Sequence, residues 1–434
     1  MHLSTKGASS AERRRARRIA LGLAMGAGTL GLAAGPLASG AYASTTGHHV
    51  SPRATTASGT YVAVTPARIT DTRTNSGQPN AGKTLTAGTT LNIQVTGVGN
   101  VPAGASAAVL NVTAVSPSAA GFLTVFPQGG TLPLVSNLNF TPGVVVANLV
   151  TVPLSASGMA SIYNSAGSTN VVVDVDGYYS STPAANGSGL YDPVSPTRVL
   201  GTLAAGAKIG PGTASAVTVA SSNVSDAVPP TATAVVLNVT ASQGSAASYL
   251  TVYPAGVTRP LASNVNFTAG ETVANRVTVG VGTSGQVEVF NGAGTVNVDV
   301  DVSGYYTGAG GTGSVFVPIT PVRLSDTRSQ TNGSAIAPAS SEHFALAGGG
   351  IPANATAVAG NVTVVAGSAA GYVTVYPSSD ATVPVASDVN FTAGAVVPNF
   401  TIADTSGSGG VQIYNSHGAA VNVVIDAFGY FATS

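Results

Sequence analysis

The chain contains no cysteine and no tryptophan, and only 7% of its 434 residues are charged. The absence of cysteine excludes a disulfide framework and a lipid-modified N-terminal cysteine. Globular proteins commonly carry about 25% charged residues, so this low charge argues against a conventional cytosolic enzyme surface and against a basic nucleic-acid binder. A charged disordered chain is also disfavoured, because 44% of the residues are hydrophobic.

The N-terminus concentrates the positive charge. Six of the sixteen lysines and arginines lie in the first 18 residues, before an uncharged apolar stretch, Ile19–Leu37, and the tripeptide Ala41-Tyr42-Ala43. This order predicts a signal peptide over residues 1–43, cleaved after Ala43, and hence a secreted or cell-surface protein. General secretory and twin-arginine export both stay open, and an uncleaved membrane anchor is the alternative. The remaining ten basic and fifteen acidic residues disfavour nucleic acid and anionic lipid as partners.

The rest of the chain repeats itself three times. Asn111-Val-Thr recurs at Asn238 and Asn361, and the residues of the other motifs recur in the same order. The offsets between these asparagines are 127 and 123 residues, whereas solenoid repeats run to roughly 20–50 residues. A unit of this length can bury its own core, so the sequence predicts three tandem domains.

The predicted organisation follows from these repeats. After the signal peptide we expect a disordered lead-in, residues 44–60, and then module 1 (61–180), module 2 (191–306) and module 3 (316–434). Linkers at 181–190 and 307–315 are rich in Gly and Ser, a composition typical of flexible connectors. The sequence therefore predicts modules that fold separately.

Strand signals dominate each module. Short runs rich in Val, Ile, Thr and Tyr are punctuated by Gly, Pro, Asn and Ser, which predicts an all-β fold of antiparallel β-sandwich-like domains. The topology stays open. In module 1 the predicted strands are Tyr61–Val64, Leu91–Val95, Ala107–Val115, Phe122–Phe126, Val135–Phe140, Val145–Val152, Ala160–Tyr163 and Asn170–Tyr179.

The motif set carries a family resemblance. The order P-x-R-x-x-D-T-R, N-V-T, S-N-x-N-F and D-x-x-G-Y-Y resembles a module repeated in secreted actinobacterial proteins, over residues 61–434. The resemblance implies secretion and an accessory or surface role, and it implies no catalytic residues. Module 2 departs from the pattern, because Gly201 and Leu203 stand where module 1 has Asp71 and Arg73.

One arginine and one aspartate keep register in all three modules although charge is scarce. They form the predicted pairs Arg68 with Asp174, Arg198 with Asp301, and Arg323 with Asp426. We interpret them as partly buried ion pairs that join the first and last strands of a module. Contact with a ligand is the alternative.

Four asparagines also recur in each module. We expect three of them to be buried amides that bond to backbone: Asn111, Asn148 and Asn164, with Asn238, Asn275, Asn291, Asn361, Asn399 and Asn415. The fourth alternates with apolar neighbours and is a candidate to face a ligand: Asn139, Asn266 and Asn390. A polar site for sugar hydroxyls is the competing interpretation.

Catalytic signatures are missing from the sequence. His343 and His417 have no counterparts in the other modules, and no nucleophile elbow, metalloprotease or nucleotide-binding motif occurs. We therefore predict no catalytic residues, no cofactor and no metal, with calcium at Asp174 and Asp176 of module 1, or at Asp299 and Asp301 of module 2, as a weaker alternative. The recurrent aromatics, such as Phe122 and Tyr163, are interpreted as packing residues. The resulting hypothesis is a secreted structural or adhesion protein, and the alternative is a multivalent binder of extracellular glycans or cell wall.

Overall fold

The computed structural model describes residues 59–222, 228–405, 409–416 and 418–433. The predicted signal peptide, most of the lead-in and His417 lie outside the described residues. The described chain is almost entirely β-strand, and each module is a sandwich of two antiparallel sheets, which confirms the predicted fold class.

Module 1 contains nine strands. They are β1 (Tyr61–Asp71), β2 (Leu85–Thr86), β3 (Thr90–Gln94), β4 (Ala105–Val115), β5 (Gly121–Pro127), β6 (Leu138–Phe140), β7 (Val145–Pro153), β8 (Met159–Asn164) and β9 (Ser168–Ser180). The inner sheet has the order β1-β9-β4-β7, with β2 on β9, and the outer sheet has the order β3-β8-β5-β6. All eight predicted strand regions contain strand, although Val135 precedes β6 and β1 extends to Asp71.

Modules 2 and 3 repeat this topology, with the β2 pairing reduced to the single bridges Ile209–Val296 and Ile336–Val421. Module 2 contains β10 (Tyr191–Gly201), the short helix α1 (Thr202–Ala205), β11 (Thr213–Thr218), β12 (Ala234–Ser242), β13 (Ser248–Pro254), β14 (Val265–Phe267), β15 (Val273–Gly280), a 3-10 turn (Thr283–Gly285), β16 (Gln286–Asn291) and β17 (Asn297–Tyr306). Module 3 contains β18 (Ser314–Asp326), β19 (Ser340–Ala345), β20 (Ala357–Val365), β21 (Gly371–Pro377), β22 (Val389–Phe391), β23 (Val396–Asp404), β24 (Gly410–Asn415) and β25 (Asn422–Thr433).

The inner sheets of the three modules are buried on both faces, and those of modules 2 and 3 join at the Tyr191–Ser314 pair into one eight-stranded sheet. One face closes the core of its own sandwich, and the other contributes to a fourth apolar cluster that all three modules share. Val171–Val175 in β9 illustrates this, since every residue in the run is buried. A strand covered on both sides has no need of polar alternation. The modules therefore each have a core of their own and also pack against one another.

The edge strands of the inner sheets meet at the centre of the molecule. β7, β15 and β23 each contact the other two, so the three modules form a closed ring. An uncovered edge strand would offer unpaired backbone groups to other chains. Here each edge is covered by the neighbouring modules, and the same surfaces are used head to tail at all three contacts.

The segments predicted as flexible are tied into this ring. In the first linker the Gly189 amide donates to Thr307 O at 2.8 Å, and Gly310 N of the second linker donates to Asn186 O at 2.7 Å. β18 already begins at Ser314, inside the predicted linker 307–315, because Ser314 pairs with Thr433. The end of the predicted disordered lead-in is also ordered, since Gly59 pairs with Phe316. Backbone pairing between modules outweighs the flexibility that Gly and Ser would otherwise confer.

Candidate functional site

The repeated charges and asparagines come together at the contacts between modules. We call these contacts junction 1–2, junction 2–3 and junction 3–1, after the modules they join. In each module the arginine, the aspartate and the first asparagine lie in one row across three neighbouring strands, as Arg68, Asp174 and Asn111 do in β1, β9 and β4. The row starts inside one module and ends at the next, so ion pair and junction form one polar system.

All three predicted ion pairs are present in the structure. The Arg68 guanidinium donates two hydrogen bonds to Asp174, with Nε–Oδ1 at 2.8 Å and Nη2–Oδ2 at 3.1 Å. Arg323 binds Asp426 with the same two distances, and Arg198 binds Asp301 through the same atoms. Each pair joins the first and last strands of its module, and two parallel bonds fix the planar groups against each other.

The pKa values of Asp174 and Asp426 are subject to opposing effects of burial and of nearby hydrogen-bond donors. Burial raises the pKa of Asp174, and the hydrogen bonds and charge of Arg68, together with the Ser263 backbone of module 2, offset only part of this rise. Burial likewise raises the pKa of Asp426, and Arg323 together with the Ser136 backbone of module 1 opposes the rise. The pKa of the carboxyl groups in modules 1 and 3 therefore depends on the neighbouring module as well as on their own arginine.

Module 2 replaces the missing residues of its motif from another strand. In module 1 Arg73 pairs with Asp71 at 2.5 Å, but Gly201 and Leu203 occupy these positions in module 2. Asp299 lies opposite Gly201 in the β10–β17 pairing and binds Arg198 at 3.1 Å. The second carboxylate beside the arginine is thus retained. In the sequence Asp299 stood out only as a candidate calcium ligand.

The first two repeated asparagines of each module bind across the junctions. At junction 1–2, Asn111 Nδ2 donates to Ser263 O at 2.6 Å, and Asn275 Nδ2 donates to Asn111 Oδ1 at 3.0 Å. Asn275 Oδ1 accepts from Leu149 N at 3.2 Å. Every polar atom of this asparagine pair that bridges the modules is matched, as buried amides require.

The other two junctions repeat the arrangement. At junction 3–1, Asn361 Nδ2 donates to Ser136 O at 2.9 Å, while Asn148 Nδ2 donates to Asn361 Oδ1 at 3.2 Å. At junction 2–3, Asn399 Nδ2 donates to Asn238 Oδ1 at 2.9 Å, and Asn238 Nδ2 donates to Ser387 O. All six of these side chains are at most 2% exposed. We predicted their burial correctly, but much of their bonding is to another module.

The third repeated asparagine stays within its module. Asn164 Nδ2 donates to Leu85 O and Gly167 O, both at 3.2 Å. Asn291 and Asn415 bind the equivalent backbone oxygens of modules 2 and 3. These buried amides tie the end of an outer-sheet strand to two loops, in agreement with the expected role of asparagine at strand ends.

Six aromatic side chains form one apolar contact at each of the three junctions, beside the asparagines. Tyr61 stacks on Tyr306, and Phe316 stacks on Tyr179, each with ring centroids 4.3 Å apart. The third contact, between Tyr191 and Phe431, is 4.4 Å. Each pair joins the first strand of one module to the last strand of another, so these rings belong to the shared cluster between modules. Such ring pairs contribute about 0.5–1.5 kcal/mol beyond their buried area.

Junction 2–3 contains the only ion pair of the described residues that joins two modules. Arg276 of β15 is 1% exposed and binds Asp388 of module 3. It also donates to Ser303 Oγ at 2.9 Å, Phe400 O at 3.2 Å and Thr401 Oγ1 at 3.2 Å. Leu149 and Phe400 occupy the position of Arg276 in the other modules. We did not recognise this pair in the sequence, although the mismatch directly after a repeated asparagine was its visible signal.

Asp176 is a second departure from the repeat. It is 1% exposed, and neither carboxylate oxygen has a hydrogen-bond partner within the described residues. Burial, and next the charge of Asp174, raise its pKa well above the usual range. Ser303 and Phe428 occupy its position in modules 2 and 3. No group of three or more metal-ligating side chains occurs in the described ranges.

The fourth repeated asparagine lies on the solvent-facing side of the outer sheet. Asn139 is opposite Phe122 in the β5–β6 pairing, and the Phe122 ring lies 6.4 Å from that of Tyr163 on β8. We call the three equivalent sets the outer strips: Asn139, Phe122 and Tyr163; Asn266, Tyr249 and Phe290; Asn390, Tyr372 and Tyr414. Phe122 is 36% exposed and the other members are half-buried. Of the recurrent aromatics interpreted as packing residues, Phe126, Phe140 and Tyr179 are buried, whereas Phe122 lies partly open to solvent at the outer sheet.

Comparisons with known proteins assign the chain to no family. No protein-family model matches the chain, and no curated protein matches it. Among solved structures it is similar to the subject of "The Triple Jelly Roll Fold and Turret Assembly in an Archaeal Virus". That match has 9% sequence identity and a TM-score of 0.19, and it covers 86% of this chain and 91% of that chain.

Proposed function

We propose that the protein is a secreted, non-catalytic structural or adhesion protein of the bacterial surface or its surroundings. The observation that carries the proposal is that the repeated polar side chains form their hydrogen bonds and ion pairs within the ring. The arginines, aspartates and nine asparagines that recur in register bind one another or backbone. A ligand site would instead need convergent polar groups in an open concavity.

The predicted signal peptide, the low charge and the closed ring of modules support a stable extracellular protein. No helix among the described residues is both long and apolar enough to cross a membrane. The first test is intact-mass analysis of the culture supernatant, which should detect a chain starting at Ser44. The second is adhesion of cells that lack the gene, which should be weaker than that of wild-type cells and restored by the exported chain. A full-length chain confined to the membrane fraction, or unchanged adhesion, contradicts the proposal.

A second candidate function is binding of extracellular glycan by the outer strips. The observation that favours it is the threefold recurrence of an amide beside two aromatic rings on the surface. Aromatic faces pack against sugar rings and amides bond to hydroxyl groups, while three weak sites on one polymer gain avidity. The strip in module 2 also carries Arg259, which stacks over Phe290 at 3.8 Å.

The two candidates are separated by a triple variant of the strips. Phe122→Ala, Tyr249→Ala and Tyr372→Ala together should abolish retention of the mature protein on purified cell wall or a glycan array. The matched control is the triple alanine variant of three exposed apolar residues outside the strips, Leu134, Leu261 and Val385, which are 78%, 68% and 84% exposed. Equal retention of both variants and wild type removes the glycan candidate and leaves the structural proposal intact.

A further inference from the structure

The three junctions share one construction, so their common residues carry no information about which module binds which. Each has an asparagine from one inner sheet bound to a Ser carbonyl and an asparagine of the next module. Each also has an aromatic pair with ring centroids 4.3–4.4 Å apart, stacked at two junctions and tilted at junction 2–3. Any module of this kind presents both halves of a junction. Wrong orders, and exchange of modules with a second chain, are therefore geometrically accessible.

The linkers do not remove this ambiguity. The first strands of all three modules begin at the same place, because Tyr61 N donates to Gly189 O, Tyr191 pairs with Ser314, and Gly59 pairs with Phe316. The two linkers also hydrogen-bond to each other there. A linker that ends at this common point reaches the start of either neighbour. Order must therefore be encoded in the junctions themselves.

Three positions distinguish the junctions. Junction 2–3 has Arg276 and Ser303 from module 2 and Asp388 from module 3. The equivalent residues are Leu149, Asp176 and Asn264 at junction 1–2, and Phe400, Phe428 and Asn137 at junction 3–1. In modules 1 and 2 the asparagine accepts from the amide of Val125 or Val252, and in module 3 Asp388 Oδ2 accepts from Val375 N at 2.7 Å. The substitution to aspartate keeps this bond and leaves the second oxygen for Arg276.

Arg276 depends on module 3 for three of its four side-chain partners. These are Asp388, Phe400 O and Thr401 Oγ1, and only Ser303 belongs to its own module. Against another copy of module 2 it would meet Asn264, and against module 1 it would meet Asn137. Neither is a carboxylate, and a buried guanidinium without one is strongly disfavoured. Asp388 would likewise meet Leu149 or another Phe400 and remain unpaired.

We propose that the Arg276–Asp388 pair specifies the order of the ring: the junction face of module 2 accepts only module 3, and it rejects modules 1 and 2 of the same or a second chain. The pair acts by excluding wrong partners as much as by holding the right one. This inference is independent of the proposed function.

The test uses the mature chain with a protease site placed in each linker. Cleavage of the folded protein leaves rings of three separate modules, and native mass spectrometry reads their composition because the modules differ in mass. After incubation at low concentration to allow exchange, wild-type rings should contain one copy of each module. Rings with two copies of module 2 or module 3 should be roughly 100-fold less abundant than rings with one copy of each module, as expected for an unpaired buried charge.

Two double variants remove the pair and retain residues that other junctions already use. Arg276→Leu with Asp388→Asn gives two of the three distinguishing residues of junction 1–2, and Arg276→Phe with Asp388→Asn gives two of the three of junction 3–1, with Ser303 unchanged in both. In either variant, wrong compositions should rise by at least roughly tenfold over wild type. Double variants that keep the wild-type composition, or wild-type rings that already mix freely, would overturn the proposal. The second variant keeps the test valid if the first does not assemble.

Discussion

Asn111 of module 1 and Asn275 of module 2 lie 164 residues apart in sequence and share a hydrogen bond of 3.0 Å at junction 1–2. Their equivalents at the other two junctions do the same. Replacing one amide leaves its partner buried and unsatisfied, at a cost of about 1–3 kcal/mol.

Substitution of this pair should therefore show coupling. We expect Asn111→Ala to lower the free energy of unfolding of the mature chain by about 1–3 kcal/mol. Asn111→Ala with Asn275→Ala should cost less than the sum of the single variants. Urea denaturation monitored by circular dichroism measures both effects. Half-buried Asn139→Ala is the control, with a change within about 0.5 kcal/mol. Strict additivity would show that the two amides do not act together.

The Arg68–Asp174 pair should be among the most sensitive contacts in module 1. Asp174 is 1% exposed, so Arg68→Ala leaves its charge uncompensated, and breaking such buried pairs costs about 3–5 kcal/mol. Asp174→Asn should also destabilise, and the double variant should be strongly non-additive. Arg73→Ala is the matched control, because the Arg73 side chain is 47% exposed and such pairs contribute about 0–1 kcal/mol. Similar losses from Arg68→Ala and Arg73→Ala would contradict this ranking.

Stability should fall as the pH rises above the ordinary aspartate range. Burial raises the pKa of Asp176 well above its usual value and that of Asp301 to about 6. A carboxyl group with a raised folded pKa stabilises the protein fully below its unfolded pKa, near 4, and this contribution is lost as the pH rises through the folded pKa. The melting temperature should therefore decrease from pH 4 through pH 6 and beyond.

The variant Asp176→Ser isolates the contribution of the unpaired carboxyl group. Serine occupies this position in module 2, as Ser303, so the substitution fits the fold. We expect a higher melting temperature at neutral pH and a flatter pH profile than wild type, read by differential scanning calorimetry. An unchanged profile would mean that the ionisation of Asp176 is not linked to folding.

A single module should not behave as an independent domain. Residues 190–306 alone would expose Tyr191, Tyr306 and Val236, which are fully buried in the ring, together with the charge of Arg276. We expect this fragment to self-associate or to bind a hydrophobic dye, whereas the mature chain should remain monomeric and unfold cooperatively. Sedimentation velocity and thermal unfolding measure the difference. A monomeric fragment that unfolds cooperatively would restore the interpretation of autonomous modules.

Much of the sandwich could be predicted from local pattern. Eight strand regions of module 1 were located because alternation, β-branched residues and turn residues are local signals. The pairing of Arg68 with Asp174 followed from charges that are scarce and in register. The burial of Asn111 followed from its place beside β-branched residues. These inferences need only one module and its internal periodicity.

The junctions could not be predicted in the same way. A repeat shows that a residue recurs, but it does not show whether its partner lies in the same copy or in the next one. Asn148 illustrates this, since its amide binds Asn137 O of its own module at 2.5 Å and Asn361 Oδ1 of module 3 at 3.2 Å. The run Val171–Val175, which places valine on both faces of β9, was a local sign that a second surface had to be covered. Gly and Ser in the linkers indicated freedom that tertiary contacts remove.

The pairing of Gly59 with Phe316, through two hydrogen bonds of 3.0 Å, has a consequence for gene architecture. It brings the start of module 1 next to module 3, whose β18 also pairs Ser314 with Thr433. Two of the three contacts in the ring join modules that are consecutive in the chain. At the third contact, modules 3 and 1 are adjacent but are not joined by a peptide. A circular permutant that starts at module 2 and joins residue 433 to residue 59 by a short Gly/Ser segment should therefore adopt the same fold. The structure of such a ring depends on the order of the modules around it, and not on which module comes first in the sequence.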